Sequence, residues 1–168
     1  AFKQHFAPRG EILVVPHGTD HARFRPEEPA EGSDGRRLED LGVRGRYVLH
    51  VGTVEPRKDI PTIVRAVGKL RRDRPQLKLV VVGPRGWGEV TGLDPPFVQV
   101  IGNQPWAVRD ALYRRAETFC LASLYEGFGL PVVEAMARGA PTVATTGSAL
   151  EEVVQGAGVL FAPGDVDG

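Results

Sequence analysis

From Tyr47 onward the chain alternates short aliphatic runs with segments of helical period, and that rhythm restricts the fold more than any other feature. The runs fall at 47–51, 77–82, 97–101, 118–121, 141–144 and 159–161. Between the first two, Ile60, Ile63, Val64, Val67 and Leu70 recur at helical spacing, with Asp59 placed to cap and Pro61 in the first turn. Further helices are expected over 105–115, over the segment that Gly139 ends, and over 150–154. The run 77–82 is apolar at nearly every position, as a strand covered on both faces must be. Strands alternating with helices build a parallel, doubly wound α/β sheet of Rossmann-like type. A short apolar run at 12–15 is a seventh candidate strand. Residues 25–46, rich in Pro, Glu, Gly and Arg, read as a linker with one short helix around Leu38 and Leu41.

With 168 residues the chain has the size of one ordinary domain. Lys plus Arg (21) equals Asp plus Glu (21), so no overall field draws in nucleic acid or an anionic membrane. No apolar run is long enough for a transmembrane helix, and the opening AFKQHFAPRG has no signal-like apolar core. The single cysteine, Cys120, lies in an apolar run and cannot form an internal disulfide. A buried structural thiol and a reducing, cytoplasmic setting are the natural expectations. The chain opens at Ala1 without a methionine and stops soon after an apolar run, which suggests a piece of something longer.

Doubly wound sheets bind ligands beyond the carboxyl ends of their strands, and the unusual segments all fall there. Gly52-Thr53-Val54-Glu55-Pro56-Arg57-Lys58 follows the first strand of the series, Gly83-Pro84-Arg85-Gly86-Trp87 the second and Gly102-Asn103-Gln104 the third. Residues 123–137, SLYEGFGLPVVEAMA, follow the fourth, and Thr145-Thr146-Gly147-Ser148 the fifth. In the long motif Glu126 and Glu134 flank Gly127-Phe128-Gly129, and Pro131 sits where a helix begins. Glycines at a helix start let the backbone approach a ligand, and the unpaired amides and macrodipole there favour an anion. Glu134 alone would be an ordinary helix residue. Together, two carboxylates around an anion-friendly turn suit a ligand with both phosphate and hydroxyl groups, which describes a nucleotide sugar.

Other chemistries lack support. There is no GxGxxG after the first strand and no GxxxxGK[ST] anywhere, so the dinucleotide and P-loop readings lose their main support. His5, His17, His21 and His50 are scattered, no metal-ligand spacing is present, and His50 inside a strand is expected to be a packed, hydrogen-bonded imidazole. No metal and no cofactor are expected.

The segments VLHVGTVEPRKDIPTIVRA, LVVVGPRGW, SLYEGFGLPVVEAMARGAPTVAT, SALEEVV and GAGVLFAPGD together resemble the carboxyl-terminal donor domain of a retaining GT-B glycosyltransferase, glycosyltransferase family 4. ILVVPHGTD resembles that family's inter-domain hinge, and the GTVEPRK and GPRGW variants resemble its mannosyltransferase-like branch, which builds surface polysaccharides. The resemblance implies one half of a GT-B architecture. Residues 1–45 would be hinge and linker, residues 46–168 the donor domain, and the amino-terminal acceptor domain would lie outside this chain. It also implies a cytoplasmic enzyme that moves a hexose from a GDP- or UDP-sugar, such as mannose from GDP-mannose. The acceptor would be a saccharide or a lipid-linked sugar, an arrangement compatible with peripheral membrane association of the full chain.

Residue by residue, the resemblance makes Lys58 and Glu126 the catalytic pair. Lys58, with Arg57 beside it and Gly52, Thr53 and Gly83 around it, would bind the donor diphosphate. Glu126 would contact sugar hydroxyls near the reacting carbon. Gly127, Phe128, Gly129 and Leu130 would line the sugar and phosphate, with the Phe128 and Gly129 amides meeting oxygens. Glu134 would grip the ribose diol, since a carboxylate accepts two hydrogen bonds at once. Ile101, Gly102 and Asn103 would border the base through main-chain atoms. The chain departs from the family at Thr53, where arginine is common, so that Arg57 or Arg85 would have to reach the same phosphates. It departs again at Glu151, where proline is usual, which should affect only the start of a short helix. Two rival readings are a GT-B-type sugar-nucleotide epimerase, which needs further acid/base groups, and a non-catalytic Rossmann-like binding module.

Overall fold

A computed structural model describes residues 10–13, 15, 17, 18, 20 and 33–167. Its elements are α1 (Ser33–Asp40), β1 (Tyr47–Val51), a 3₁₀ turn (Pro56–Lys58), α2 (Ile60–Leu70), β2 (Lys78–Val82) and β3 (Val98–Val100). There follow α3 (Trp106–Arg115), β4 (Thr118–Leu121), α4 (Leu130–Ala137), β5 (Thr142–Thr145), α5 (Ala149–Val154) and β6 (Val159–Phe161). All six strands run parallel in the order β3-β2-β1-β4-β5-β6. The doubly wound α/β fold expected from the alternating pattern is present, with strand limits within two residues of the sequence reading.

The side-chain alternation of the strands sends residues to two cores. On one face Leu49, Val51, Val80, Val82, Phe119 and Leu121 pack with residues of α1, α3, α4 and α5. On the other, Val48, Leu79 and Val81 pack with Ile60, Ile63, Val64 and Val67 of α2. Every residue of β1 is buried, which is why its sequence carries no polar alternation. Cys120 packs against the α2 core, and burial pushes its thiol up to about 12. At that value it is a poor nucleophile at neutral pH, as a structural thiol should be.

The short helix expected near Leu38 is α1. It docks Leu38 into the core and pairs Asp34 with Arg114 of α3 at 2.8 Å. The strand expected at 12–15 is absent from the described residues of that run. Ile12, Leu13 and Val15 are unpaired, and Leu13 and Val15 are 76% and 83% exposed. An apolar run becomes a strand only beside a partner edge, and none among the described residues takes it up. Most of the proposed hinge and linker over 1–45 lies outside the described residues.

Two helix starts also differ in detail from the sequence reading. Asp59 precedes α2, but its backbone is left-handed (φ 42°), and its carboxylate accepts from Thr62 Oγ1 at 2.6 Å instead of capping an amide. At α5, Ser148 Oγ accepts from the Leu150 amide at 3.4 Å and Glu151 accepts from the Gly147 amide at 2.6 Å. Glu151 therefore replaces the usual proline with a contact close to a capping box.

Candidate functional site

The strand order reverses between β1 and β4, and the loops leaving their carboxyl ends meet there. After β1 the chain turns through Pro56–Lys58, and the Leu124 amide of the β4 loop donates to the Arg57 carbonyl at 2.9 Å. This stitch holds two segments 67 positions apart in register. Lys58 is buried, and its Nζ donates to Glu126 Oε1 at 2.5 Å. Ser123 Oγ donates to the same oxygen at 2.7 Å, and Thr145 Oγ1 fixes Ser123 by donating to its carbonyl at 2.5 Å. Arg57 Nη1 donates to the Tyr125 carbonyl at 2.7 Å and lies 3.3 Å from Glu126 Oε1. Its Nη2 donates to Glu55 Oε1 at 2.6 Å. One carboxylate thus gathers two cations at the switch point.

Burial alone would raise the Glu126 carboxyl. The bonds from Lys58 and Ser123, with the charges of Lys58 and Arg57, outweigh burial and hold it below the usual carboxylate range. Because the folded-state value lies below the ordinary 4.5, the stabilisation is complete above that pH and is lost as pH falls through the folded value. Thermal unfolding followed from neutral to acid pH should show a steeper acid loss for the native chain than for Glu126→Gln, with parallel profiles excluding this role.

His50 lies beneath this pair on the α2 face of the sheet. Its Nδ1 lies 3.1 Å from the Cys120 carbonyl, an acceptor, so Nδ1 bears the proton. Its buried Nε2 has no hydrogen-bond partner. Burial, with the Lys58 charge adding to it, lowers His50 to about 4, so the ring is neutral at physiological pH. A β-carbon on Gly52 would sit 3.2 Å from that nitrogen and 3.4 Å from Lys58 Cε. Gly52 therefore lets Lys58 fold down over the imidazole. The packed histidine expected from sequence is found, with one of its two nitrogens bonded.

The second carboxylate is held differently. Glu134 sits in the second turn of α4, and Tyr113 Oη donates to its Oε2 at 2.8 Å from a fully buried ring. Burial and the adjacent Glu134 charge raise the Tyr113 phenol well above its ordinary value, so it remains a donor. Gly129 precedes α4 with φ 92°, and a β-carbon there would meet Leu150 Cδ2 at 2.4 Å. Gly127 has open space where a β-carbon would project. Phe128 meets His17 edge-on at 5.2 Å between ring centroids, and Leu130 is half exposed.

The structure brings Lys58, Arg57, Gly52 and Glu126 into one cluster, and Gly83 lies against Gly52. The Gly83 amide donates to the Gly102 carbonyl at 2.8 Å, which ties in the β3 loop. The Ile101 carbonyl already accepts Gln104 Nε2 at 2.6 Å, while Asn103 is exposed. Thr53 is partly buried beside Gly86. Arg85 is exposed and forms an isolated parallel bridge with Val54. Sequence reasoning missed Ser123, Tyr113 and Glu55 as supports. Ser123 three residues before Glu126 resembles a helix cap, and Tyr113 looks like simple core. Among the described residues no three His, Cys, Asp or Glu side chains could hold a metal ion together, and no helix is long and apolar enough to cross a membrane.

A parallel sheet whose strand order reverses beside two cations gathered on one carboxylate defines a Rossmann-like α/β domain, the class that takes ligands beyond its strand ends. The chain belongs to the family described as Glycosyl transferases group 1, whose pattern matches residues 45–168. It is 37% identical over 152 residues to the O-antigen chain mannosyltransferase B of Escherichia coli, covering 86% of this chain and 40% of the relative. It is 36% identical over 165 residues to the MMP alpha-(1->4)-mannosyltransferase of Mycolicibacterium hassiacum, covering 94% and 37%. Among solved structures, the sucrose-phosphate synthase of Thermosynechococcus elongatus superposes with a TM-score of 0.77 at 24% identity, covering 99% of this chain and 43% of that one. HepE of Anabaena, in complex with UDP and glucose, gives 0.70 at 24%, covering 85% and 42%. The chain spans about two fifths of the length of these relatives.

Proposed function

We propose that residues 46–168 form the nucleotide-sugar-binding half of a retaining, metal-independent hexosyltransferase that takes a GDP- or UDP-hexose, such as GDP-mannose, as donor. The observation that carries this reading is the convergence of Lys58, Arg57 and Ser123 on Glu126 where the strand order reverses. Lys58 and Arg57 bind the donor diphosphate, with Gly52, Thr53 and Gly83 closing around it. Glu126 orients the sugar hydroxyls, and Gly127, Phe128, Gly129 and Leu130 form the floor of the sugar site. Glu134, steadied by Tyr113, accepts from the ribose diol. Ile101, Gly102 and Asn103 border the base.

In transfer, the bond from the anomeric carbon to the diphosphate breaks as an acceptor hydroxyl oxygen bonds that carbon on the same face. The hydroxyl proton leaves with the nucleoside diphosphate. Fixed cations at the departing oxygens lower the barrier because charge grows there. The mannosyltransferase names of two relatives support mannose, and HepE holding UDP and glucose supports a nucleotide sugar in this fold. The enzyme works in the cytoplasm on a saccharide or lipid-linked acceptor.

Calorimetry with a panel of GDP-, UDP- and ADP-sugars tests the reading. Saturable binding of one class is expected, and silence toward all of them would return the chain to a non-catalytic module. Glu134→Gln should weaken binding of the nucleoside diphosphate even without a sugar, by about 1–3 kcal/mol, the scale of a hydrogen bond to a charged group. Unchanged affinity in a folded variant would leave Glu134 as a helix residue bonded to Tyr113. Lys58→Ala should cost diphosphate affinity but not nucleoside affinity, and because Lys58 is buried the gap should persist in added salt. Equal losses for both ligands would point to a damaged fold.

A further inference from the structure

The loop after β2 displays an indole that the donor site does not use. Trp87 is 63% exposed, although a tryptophan ring carries one of the largest apolar surfaces in the chain. Its loop is firmly held. The Val54 amide donates to the Pro84 carbonyl at 2.8 Å and the Gly86 amide donates to the Val54 carbonyl at 3.0 Å. A β-carbon on Gly86 would come within 2.4 Å of Thr53 Cγ2 and 3.0 Å of Glu55 Oε2. One on Gly88 would come within 2.8 Å of Pro56 Cγ. The residues on either side of Trp87 are thus pressed against the loop that carries Lys58. From Gly86, contact passes through Glu55 to Arg57 and on to Glu126.

The surroundings indicate what the ring binds. Residues 84–89 are all exposed, and apart from Trp87 they are Pro84, Arg85, Gly86, Gly88 and Glu89. Trp87 stands beside Pro84, Gly86 and Gly88 on one hand and the charged Arg85 and Glu89 on the other, so its aromatic face has polar donors and acceptors in its own loop. A pyranose matches that pattern. Its C–H face lies on an aromatic plane while its hydroxyls meet charged donors and acceptors such as Arg85 and Glu89.

We propose that Trp87 is a stacking platform for a pyranose of the saccharide acceptor, set beside the donor diphosphate. The proposal rests on the glycosyl-transfer reading above. A platform built on a clamped loop loses little backbone entropy on binding, since the loop is already tied to residues 54–56.

The test uses the full-length chain, with saturation-transfer NMR and titration against manno-, gluco- and galacto-oligosaccharides, and calorimetry with GDP and UDP. Trp87→Ala should weaken binding of the preferred oligosaccharide on the order of tenfold, the effect of losing an aromatic anchor. Trp87→Phe should recover most of it, and both variants should bind GDP or UDP as the native chain does. Equal oligosaccharide affinity in native chain and Trp87→Ala would overturn the proposal, as would the absence of oligosaccharide binding by the native chain. So would a lower melting temperature in Trp87→Ala with unchanged oligosaccharide affinity, which marks a ring covered by another part of the chain. A loss of GDP or UDP affinity matching the saccharide loss would place Trp87 in the donor site instead. Failure of the native chain to bind any nucleoside diphosphate would remove the functional reading itself, a result separate from all of these.

Discussion

Gly83→Ala should destabilise the chain by about 3–5 kcal/mol, at the upper end of what single substitutions do. Gly83 adopts φ 148°, a conformation that side chains rarely take, and a β-carbon there would lie 2.0 Å from the Gly52 carbonyl oxygen. That contact is with backbone, so no rotamer change relieves it. Gly52 and Gly83 leave β1 and β2 side by side. The Gly52 amide donates to the Val82 carbonyl at 2.9 Å, and the Gly83 amide to the Gly102 carbonyl at 2.8 Å. Any shift that makes room for a methyl group therefore moves three loops of the candidate site together. Urea unfolding should show a lower midpoint with an unchanged slope, and nucleoside diphosphate affinity should fall with it. A neutral substitution would mean that the two loops are free to separate.

The same pair shows how far the sequence could be read. Glycines after strands are legible as loop residues. That Gly83 must be glycine because Gly52 lies against it depends on β1 and β2 being neighbours, which no local pattern records. The run 77–82 announced a buried strand because both of its faces meet helices. The run at 12–15 carried the same local signal, yet its described residues form no strand and sit beside no strand edge among the described residues. Lys58 and Glu126 could each be picked out by motif, yet their pairing follows from β1 lying beside β4. Tyr113 was invisible as a support for Glu134, because a buried tyrosine looks the same whether or not its hydroxyl has work to do. Asp59 misled in the opposite direction. It stood where a cap belongs, and Thr62 took its carboxylate instead.

Residues 1–168 alone should bind a nucleotide sugar and transfer nothing, the largest effect expected here. Transfer requires an acceptor hydroxyl held against the anomeric carbon, and such positioning is worth roughly 7–11 kcal/mol of barrier lowering. The described residues bring Lys58, Arg57 and Glu126 together where the strand order reverses, and on the proposed reading this cluster is one wall of that arrangement. The relatives are more than twice as long, and the rest of their length is where a second wall would come from. In the full-length chain Glu126→Ala should lower turnover far more than donor affinity, because hydroxyl orientation counts most at the transition state. Lys58 would then lose its partner carboxylate, so Glu126→Gln, which keeps the size of the side chain and an acceptor oxygen, should separate orientation from charge. Donor binding measured by calorimetry and turnover measured by nucleoside diphosphate release would give the two quantities independently. Sustained multiple-turnover transfer by residues 1–168 alone would show that one wall suffices, and the assignment of a donor-binding half would fail.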